Sequence, residues 1–315
     1  MTSPPTLADV EAARDRIRSR IRRTPVLRAA PLRDPASSAT LWLKLENLQI
    51  TGSFKARGAT NKLATLGAEA VRRGLITASG GNHGLGVAYA GWLAGVPATI
   101  YLPRSTPPAK AHALEAWGAR VIVEGAVWDD ANQAALAMAD EAGLTYVHPF
   151  ADPTVIAGQG TVGLEILDDL PEVDTVVAAI GGGGLISGVG VAIRGRRPAT
   201  RVIGVEPVGA ATLYESLRAG RLVELDQIRT AATSLAPRRS ESLNLGLVGE
   251  TVEAVVLVDD DEMRAAARWL WRELGVGAEL SSAAAVAALR TGRVPVRAGE
   301  QVCAVVCSAG TDGLD

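Results

Sequence analysis

Lys55 lies in "ITGSFKARGAT", with Gly52, Ser53 and Phe54 just before it. A lysine amine attacks carbonyl compounds usefully only where burial or nearby positive charge lowers its pKa. The flanks "TGSF" and "RGA" are small or apolar and suit close packing, although the stretch alone also fits a surface lysine at a helix start. Two glycine loops add to the chemistry. In "ASGGNHGLG" (78–86), glycines free backbone N–H groups and a following helix would add positive charge. Ser79, Asn82 and His83 offer side-chain donors, as a carboxylate or phosphate requires, and Gly80 and Gly81 complete the turn. A tight turn capped by Asn82 would use the same residues. In "GGGGLISG" (181–188), Gly181, Gly182, Gly183 and Gly184 form a nest of N–H groups suited to phosphate. No Gly-Lys-Ser/Thr follows, so this is not a nucleotide P-loop. A dinucleotide fingerprint remains open: Gly182 and Gly184 fit its first positions, Ser187 replaces its third glycine, and Glu206 lies near the ribose-binding acid. Lysine, nest and anion loop together point to a phosphate-bearing cofactor with a reactive carbonyl.

The elements that must hold these groups read as an α/β protein. Nine β-rich runs alternate with Ala-rich helical stretches, from "LWLKLE" and "GLITAS" to "AVVLVDD" and "QVCAVVCS". That alternation predicts open, mostly parallel sheets wrapped by helices. "GLITAS" and "ATIYLP" are almost continuously apolar, as strands covered on both faces should be. One large sheet or two smaller ones would satisfy the pattern. In either case ligands bind beyond the carboxyl ends of strands, where the glycine loops fall.

The 315 residues can bury a large core, and a net charge of -2 gives no footprint for nucleic acid or an anionic membrane. The start, "MTSPPTLADV", lacks the apolar core of a signal peptide and leads into a helix capped by Thr6 and Asp9. Residues 175–193 are uncharged and nearly long enough to span a bilayer, but four consecutive glycines favour a buried strand and loop. Cys303 and Cys307 share a strand face and read as core residues of a reduced, cytoplasmic protein. No further cysteine or nearby histidine completes a metal-ligand set.

The sequence resembles the fold-type II pyridoxal-phosphate enzymes, specifically the serine/threonine dehydratase and serine racemase family. The matching stretches include "RRTPVL", "LWLKLENLQITGSFKARGA", "SGGNHGLGVAYA", "YVHPFADPTVIAGQGTVGLEIL", "GGGGLISG", "GVEP" and "CSAGTD", in family order over nearly the whole chain. The resemblance implies two mostly parallel twisted sheets with helices on both faces, as in tryptophan synthase β. It implies a large domain of residues 1–50 and 149–315, a small domain of 51–148 inserted in it, and pyridoxal 5'-phosphate in the cleft between them. Lys55 is then the Schiff-base lysine and later the base, with Phe54 beside the cofactor. Asn82 meets the pyridine 3-oxygen. Gly181, Gly182, Gly183, Gly184 and Leu185 cradle the phosphate. Ser308 meets the ring nitrogen, and Glu279, in "GAELSSAAA", matches the acid of the family's "EPSGA" motif among the cofactor-binding residues. The loop of Ser79, Gly80, Gly81, Asn82 and His83 takes the substrate carboxylate. The implied reaction converts a β-hydroxy amino acid, such as threonine or serine, to a 2-oxo acid and ammonia, in a homodimer.

The chain departs from the family at four places. Gly80 stands where a racemase needs a proton-carrying serine, so racemisation should be weak. Glu206 matches one acid of a divalent-metal site, but the second position is Thr212, which leaves no metal assigned. The family's "TIADG" closing segment reads "TAATSLA" (230–236), which opens the substrate to other β-hydroxy amino acids such as 3-hydroxyaspartate or an aryl-serine, or to a non-catalytic binding role. Little chain follows Ser308, so no C-terminal regulatory domain is expected.

Overall fold

The structure, a computed structural model, describes residues 3–314. Ten strands are present among them: β1 (Val26–Arg28), β2 (Thr40–Leu45), β3 (Leu75–Ala78), β4 (Ala98–Leu102), β5 (Arg120–Val123), β6 (Thr145–Tyr146), β7 (Thr175–Ala179), β8 (Arg201–Pro207), β9 (Ala254–Val258) and β10 (Gln301–Val306). All nine anticipated runs are strands. The addition is β1, whose three residues are too few to show a period. Six strands form one sheet in the order β1-β2-β10-β7-β8-β9, and four form a second in the order β5-β4-β3-β6. Every pairing is parallel except that of β1 with β2.

Side-chain alternation splits β10 between two cores. Val302, Ala304 and Val306 pack with the helices Asp260–Leu274 and Leu280–Arg290, while Cys303, Val305 and Cys307 pack with Pro153–Asp169 and Gly184–Arg196. Each fully buried Val, Leu or Ile on these faces is worth about 1.5–3 kcal/mol, which makes the sheet a stiff base for the loops it carries. The second sheet has the helix Asn82–Ala94 on one face and Trp128–Ala142 on the other. The N-terminal helix, Leu7–Ile17, begins with the expected reciprocal cap: Thr6 N–H donates to Asp9 and Asp9 N–H to Thr6 Oγ1. Residues 1–2 of the segment before it lie outside the described residues. The apolar stretch 175–193 divides into β7, a glycine loop and a buried helix, and among the described residues no helix is long and apolar enough to cross a membrane.

Candidate active site

The path into Lys55 is a strained turn tied to the other end of the chain. Thr51 and Gly52 both adopt left-handed backbone (φ 62° and 73°), and the Thr51 hydroxyl is buried without a partner. A non-glycine residue in this region costs about 1–3 kcal/mol and needs surroundings that hold it. Three backbone contacts do so. Gly52 O accepts Ala309 N–H (2.8 Å), Ser53 pairs with Ser308 as an antiparallel bridge, and Phe54 N–H donates to Cys307 O (3.1 Å). The helix Lys55–Ala64 then starts on Lys55 itself. Its Nζ donates to Pro149 O at 2.6 Å and lies 5.2 Å from the centre of the Phe54 ring. Burial lowers the amine from 10.5 to about 8. At pH 7 roughly a tenth of it is therefore neutral, against less than about one part in a thousand for a free lysine.

Gly181, Gly182, Gly183 and Gly184 carry the chain from β7 to the helix Gly184–Arg196, and the packing explains each glycine. A Cβ on Gly181 would stand 2.9 Å from Ser234 O, and one on Gly182 would stand 2.2 Å from the Phe150 ring. Gly183 has φ +93° and Leu213 beneath it, and Gly184 presses on the Phe150 backbone. The loop is thus hemmed in on its flanks, and its N–H groups join those of the helix's first turn, which have no intrahelical partners. Leu185 is buried in the core, so only its backbone can serve a ligand.

Opposite lies a carboxylate that collects hydroxyl and amide donors. Glu279 stands at the N-cap position of the helix Leu280–Arg290, its side chain making no bond to the helix's backbone N–H groups. Its Oε1 accepts from Asn82 Nδ2 (2.9 Å), and its Oε2 from Ser234 (2.9 Å), Ser281 (2.8 Å) and Ser308 (3.1 Å). Gly310 makes room, since a Cβ there would lie 2.5 Å from Glu279 Cγ. Ser308 also shares a 2.8 Å hydroxyl contact with Ser282, whose Oγ accepts Ser308 N–H. Asn82, Glu279, Ser308 and the Lys55 turn, far apart in sequence, thus form one cluster. Segment 230–236 joins it through Ser234 and is anchored behind by Thr230 and Ala231 on Asp260.

The 78–86 loop is less uniform than its sequence suggests. Ser79 Oγ accepts Gly81 N–H, and a Cβ on Gly81 would meet open space. One on Gly80 would approach the Thr106 methyl to 3.0 Å, so the side chain missing there leaves little room for another. His83 is a correction to the expected set of donors. Its ring turns into the second sheet, with Nε2 between Val147 O (2.9 Å) and Thr77 Oγ1 (3.1 Å), and burial lowers its pKa to about 3. Its Nε2 is thus committed to the sheet. Glu206 accepts Leu213 and Tyr214 N–H at the start of the helix Thr212–Ala219, while Thr212 bonds to Pro237 O. Among the described residues no group of three or more His, Cys, Asp or Glu could hold a metal ion.

The sequence reading missed Ser234, Phe150 and His148. Phe150 and His148 stand in the quoted "YVHPFADP" stretch, where a histidine beside Lys55's acceptor was a usable signal. The His148 Nδ1 accepts Ala151 N–H (2.8 Å), and burial, then the Lys55 charge, lowers its pKa to about 4. Ser234 lies in the marked segment 230–236, but nothing in the sequence distinguishes it from its neighbours there.

An amine near neutrality beside a rigid N–H nest is suited to a phosphorylated carbonyl compound, which places the molecule among enzymes that capture amines on a cofactor. The family model for pyridoxal-phosphate dependent enzymes matches residues 17–308, and the chain belongs to that family. It is 41% identical to an L-threonine ammonia-lyase of Thermotoga maritima over 307 residues, covering 98% of this chain and 76% of the relative. Among solved structures, the processed form of threonine deaminase isoform 2 from Solanum lycopersicum superposes with a TM-score of 0.90 at 34% identity, covering 98% of this chain and 87% of that one. Maize serine racemase gives 0.93 at 32% identity, covering 98% and 94%. The residues fit the cofactor: a buried lysine amine lowered to about 8 suits its carbonyl, and a glycine loop opening the helix Gly184–Arg196 suits its phosphate.

Proposed function

We propose that the protein eliminates water from a β-hydroxy amino acid, L-threonine first and L-serine second, and releases a 2-oxo acid and ammonia. The Lys55 amine carries this reading, because it is lowered to about 8 and joined by backbone contacts to the segment bearing Ser308. Relatives named threonine ammonia-lyase and threonine deaminase, similar over 98% of the chain, support it. In this reading residues 1–50 and 149–315 are a large domain, residues 51–148 a small one, and the cofactor lies in the cleft between them. When bound, pyridoxal phosphate supplies the carbonyl that captures the substrate amine and the ring that draws electrons from Cα.

The chain's residues do the rest. The loop of Gly181, Gly182, Gly183 and Gly184, with the Leu185 N–H, holds the phosphate. Asn82 donates to the 3-oxygen, and Phe54 lies against the cofactor. Ser308, oriented by Ser282 and Glu279, meets the ring nitrogen with a neutral hydroxyl. A neutral Ser308 hydroxyl in place of an anion would leave the bound group's pull on electrons modest, which suits prompt loss of the β-hydroxyl. Ser79, Gly80, Gly81 and Asn82, with the His83 N–H, bind the substrate carboxylate at the N-terminus of the helix Asn82–Ala94. The Lys55 amine would take the Cα proton as general base. Gly80 brings no proton carrier to the opposite face, so elimination prevails over racemisation. Glu206 is given no metal role, because the partner position of the family's acid pair is Thr212, whose hydroxyl is bonded to Pro237 O. We also infer a cytoplasmic homodimer; the two free, buried cysteines suit a reducing compartment.

The test is a screen of serine, threonine, threo-3-hydroxyaspartate and aryl-serines with 2-oxo acid detection, beside borohydride fixation of the cofactor. Threonine should give 2-oxo acid, and Lys55→Ala should abolish the fixed adduct. An adduct retained by Lys55→Ala, or no 2-oxo acid from any substrate, overturns the reading.

A further inference from the structure

Behind the glycine loop lies Asn244, fully buried near the start of the helix Ser242–Thr251 and outside every motif read from the sequence. Its Nδ2 donates to Phe150 O (3.1 Å) and to Ser187 Oγ (3.3 Å). Its Oδ1 is buried and has no partner. An orphaned buried acceptor is unfavourable. The amide is therefore poorly explained by its own satisfaction; both bonds it makes go to the glycine loop's supports. A Cβ on Gly183 would lie 3.2 Å from Asn244 Cβ and 3.5 Å from Nδ2, so the side chain is packed directly under the left-handed residue of the loop. Ser187 N–H donates to Gly183 O and closes the helix's first turn. From the same segment, Ser240 donates to Gly182 O at 3.0 Å.

The other end of the contact reaches the amine. Phe150, held by Asn244 at its carbonyl, covers Gly182 with its ring and Gly184 with its backbone. The adjoining residue, Pro149, provides the carbonyl that takes the Lys55 amine. The amide's own bonds nevertheless end at Phe150 O and Ser187 Oγ, on the nest's side of that carbonyl.

We propose that Asn244, assisted by Ser240, is a positioning residue that sets the glycine loop for the cofactor phosphate. The proposal rests on the assignment of residues 181–184 to that phosphate. It predicts a defect confined to the phosphorylated cofactor. Asn244→Asp keeps the size, loses both N–H donors and puts a carboxylate behind an anion site. Asn244→Ser removes the amide without adding charge, and Ser240→Ala removes the second contact.

The experiment titrates full-length protein, stripped of cofactor, with pyridoxal phosphate and separately with pyridoxal, following absorbance and fluorescence. Circular dichroism and thermal melting of the same samples serve as folding controls. Wild type should prefer the phosphorylated form strongly. Asn244→Asp should weaken pyridoxal phosphate by about tenfold or more, Asn244→Ser by about three- to tenfold and Ser240→Ala by a few-fold, the range for lost hydrogen bonds and added repulsion. Pyridoxal affinity should stay within about twofold in each. Equal losses for both compounds, or no loss for either, overturn the role of Asn244 and leave the loop assignment intact. No preference of wild type for the phosphorylated form overturns the loop assignment and the proposal with it.

Discussion

Arg57, two residues after the Lys55 amine in the same helix, offers a severe test of how the site is held. Its guanidinium grips two carboxylates. Nε and Nη2 donate to Glu46 at 2.7 Å each, while Nη1 and Nη2 donate to Glu165 at 2.8 Å each. Lys44 Nζ adds a 2.6 Å contact to Glu165, and Thr24 donates to Glu46. Lys44, Glu46 and Arg57 are fully buried, so two cations and two anions balance out of reach of water. Burial raises no alarm while the balance holds, since the carboxylates hold the guanidinium well above its ordinary range. Arg57→Met removes one cation and leaves Glu46 with only the Thr24 hydroxyl. Breaking one partner of a buried pair costs about 3–5 kcal/mol, chiefly from the charge left behind. Lys44→Met/Glu165→Met removes one charge of each sign and leaves the Arg57–Glu46 pair intact. The double variant should therefore lose less than the sum of its single losses, by about 2 kcal/mol or more. Urea unfolding of wild type, Arg57→Met, the two single Met variants and the double variant at pH 7 measures both quantities. A cost below about 1 kcal/mol for Arg57→Met, or additive losses in the cycle, would refute the reasoning.

Three further outcomes follow from the geometry. Capture of pyridoxal phosphate by Lys55 should accelerate as pH rises through about 8, because only the neutral amine attacks; a profile still climbing steeply to 10.5 contradicts the burial of that amine. His83 has its pKa lowered to about 3 from 6.5, so its contribution to stability is full above 6.5 and is lost as pH falls toward 3. By pH 4.5 that loss is roughly 2–3 kcal/mol, and denaturation of His83→Gln across this window should lack that slope. Gly182→Ala sets a methyl 2.2 Å from the Phe150 ring, and pyridoxal phosphate affinity should fall at least tenfold with Phe150 intact. Gly182→Ala/Phe150→Leu should recover part of it, and an unaffected Gly182→Ala would mean the loop is looser than described.

Much of this architecture was readable because parallel strands buried on both faces are runs of apolar residues, and β7, β8 and β10 show this plainly. β1 was not, having three residues and one antiparallel neighbour. Lys55 and the four glycines declared themselves by residue type and setting. Asn82 showed only as a donor in a glycine loop, and Ser308 and Glu279 not at all, because their meeting depends on tertiary packing; resemblance alone singled out those two. Arg57 was read as part of a small or apolar flank, and its buried charges are balanced by partners 11 and 108 positions away. His83 was read as a donor, whereas an acceptor on the neighbouring segment, Val147 O, draws its ring inward. Asn244 gave no signal, and Ser234 none beyond the segment that holds it, since a serine or asparagine in a loop or helix start is ordinary until something is packed against it.

The position of β10 has a consequence for how the protein comes into being. It lies between β2 and β7, so the N-terminal strands have no neighbour on that side until the last strand of the sheet arrives. Trp42 and Gln301, joined across this seam, are 259 positions apart. A nascent chain emerging from the ribosome must therefore carry β2 with an open edge through most of its synthesis, and so few local contacts make for slow closure. The same late strand delivers Cys307, Ser308 and Ala309, which hold the Lys55 turn in place. Completion of the sheet and assembly of the reactive lysine are consequently one event, and a partly made chain has no preformed site with which to capture a reactive aldehyde.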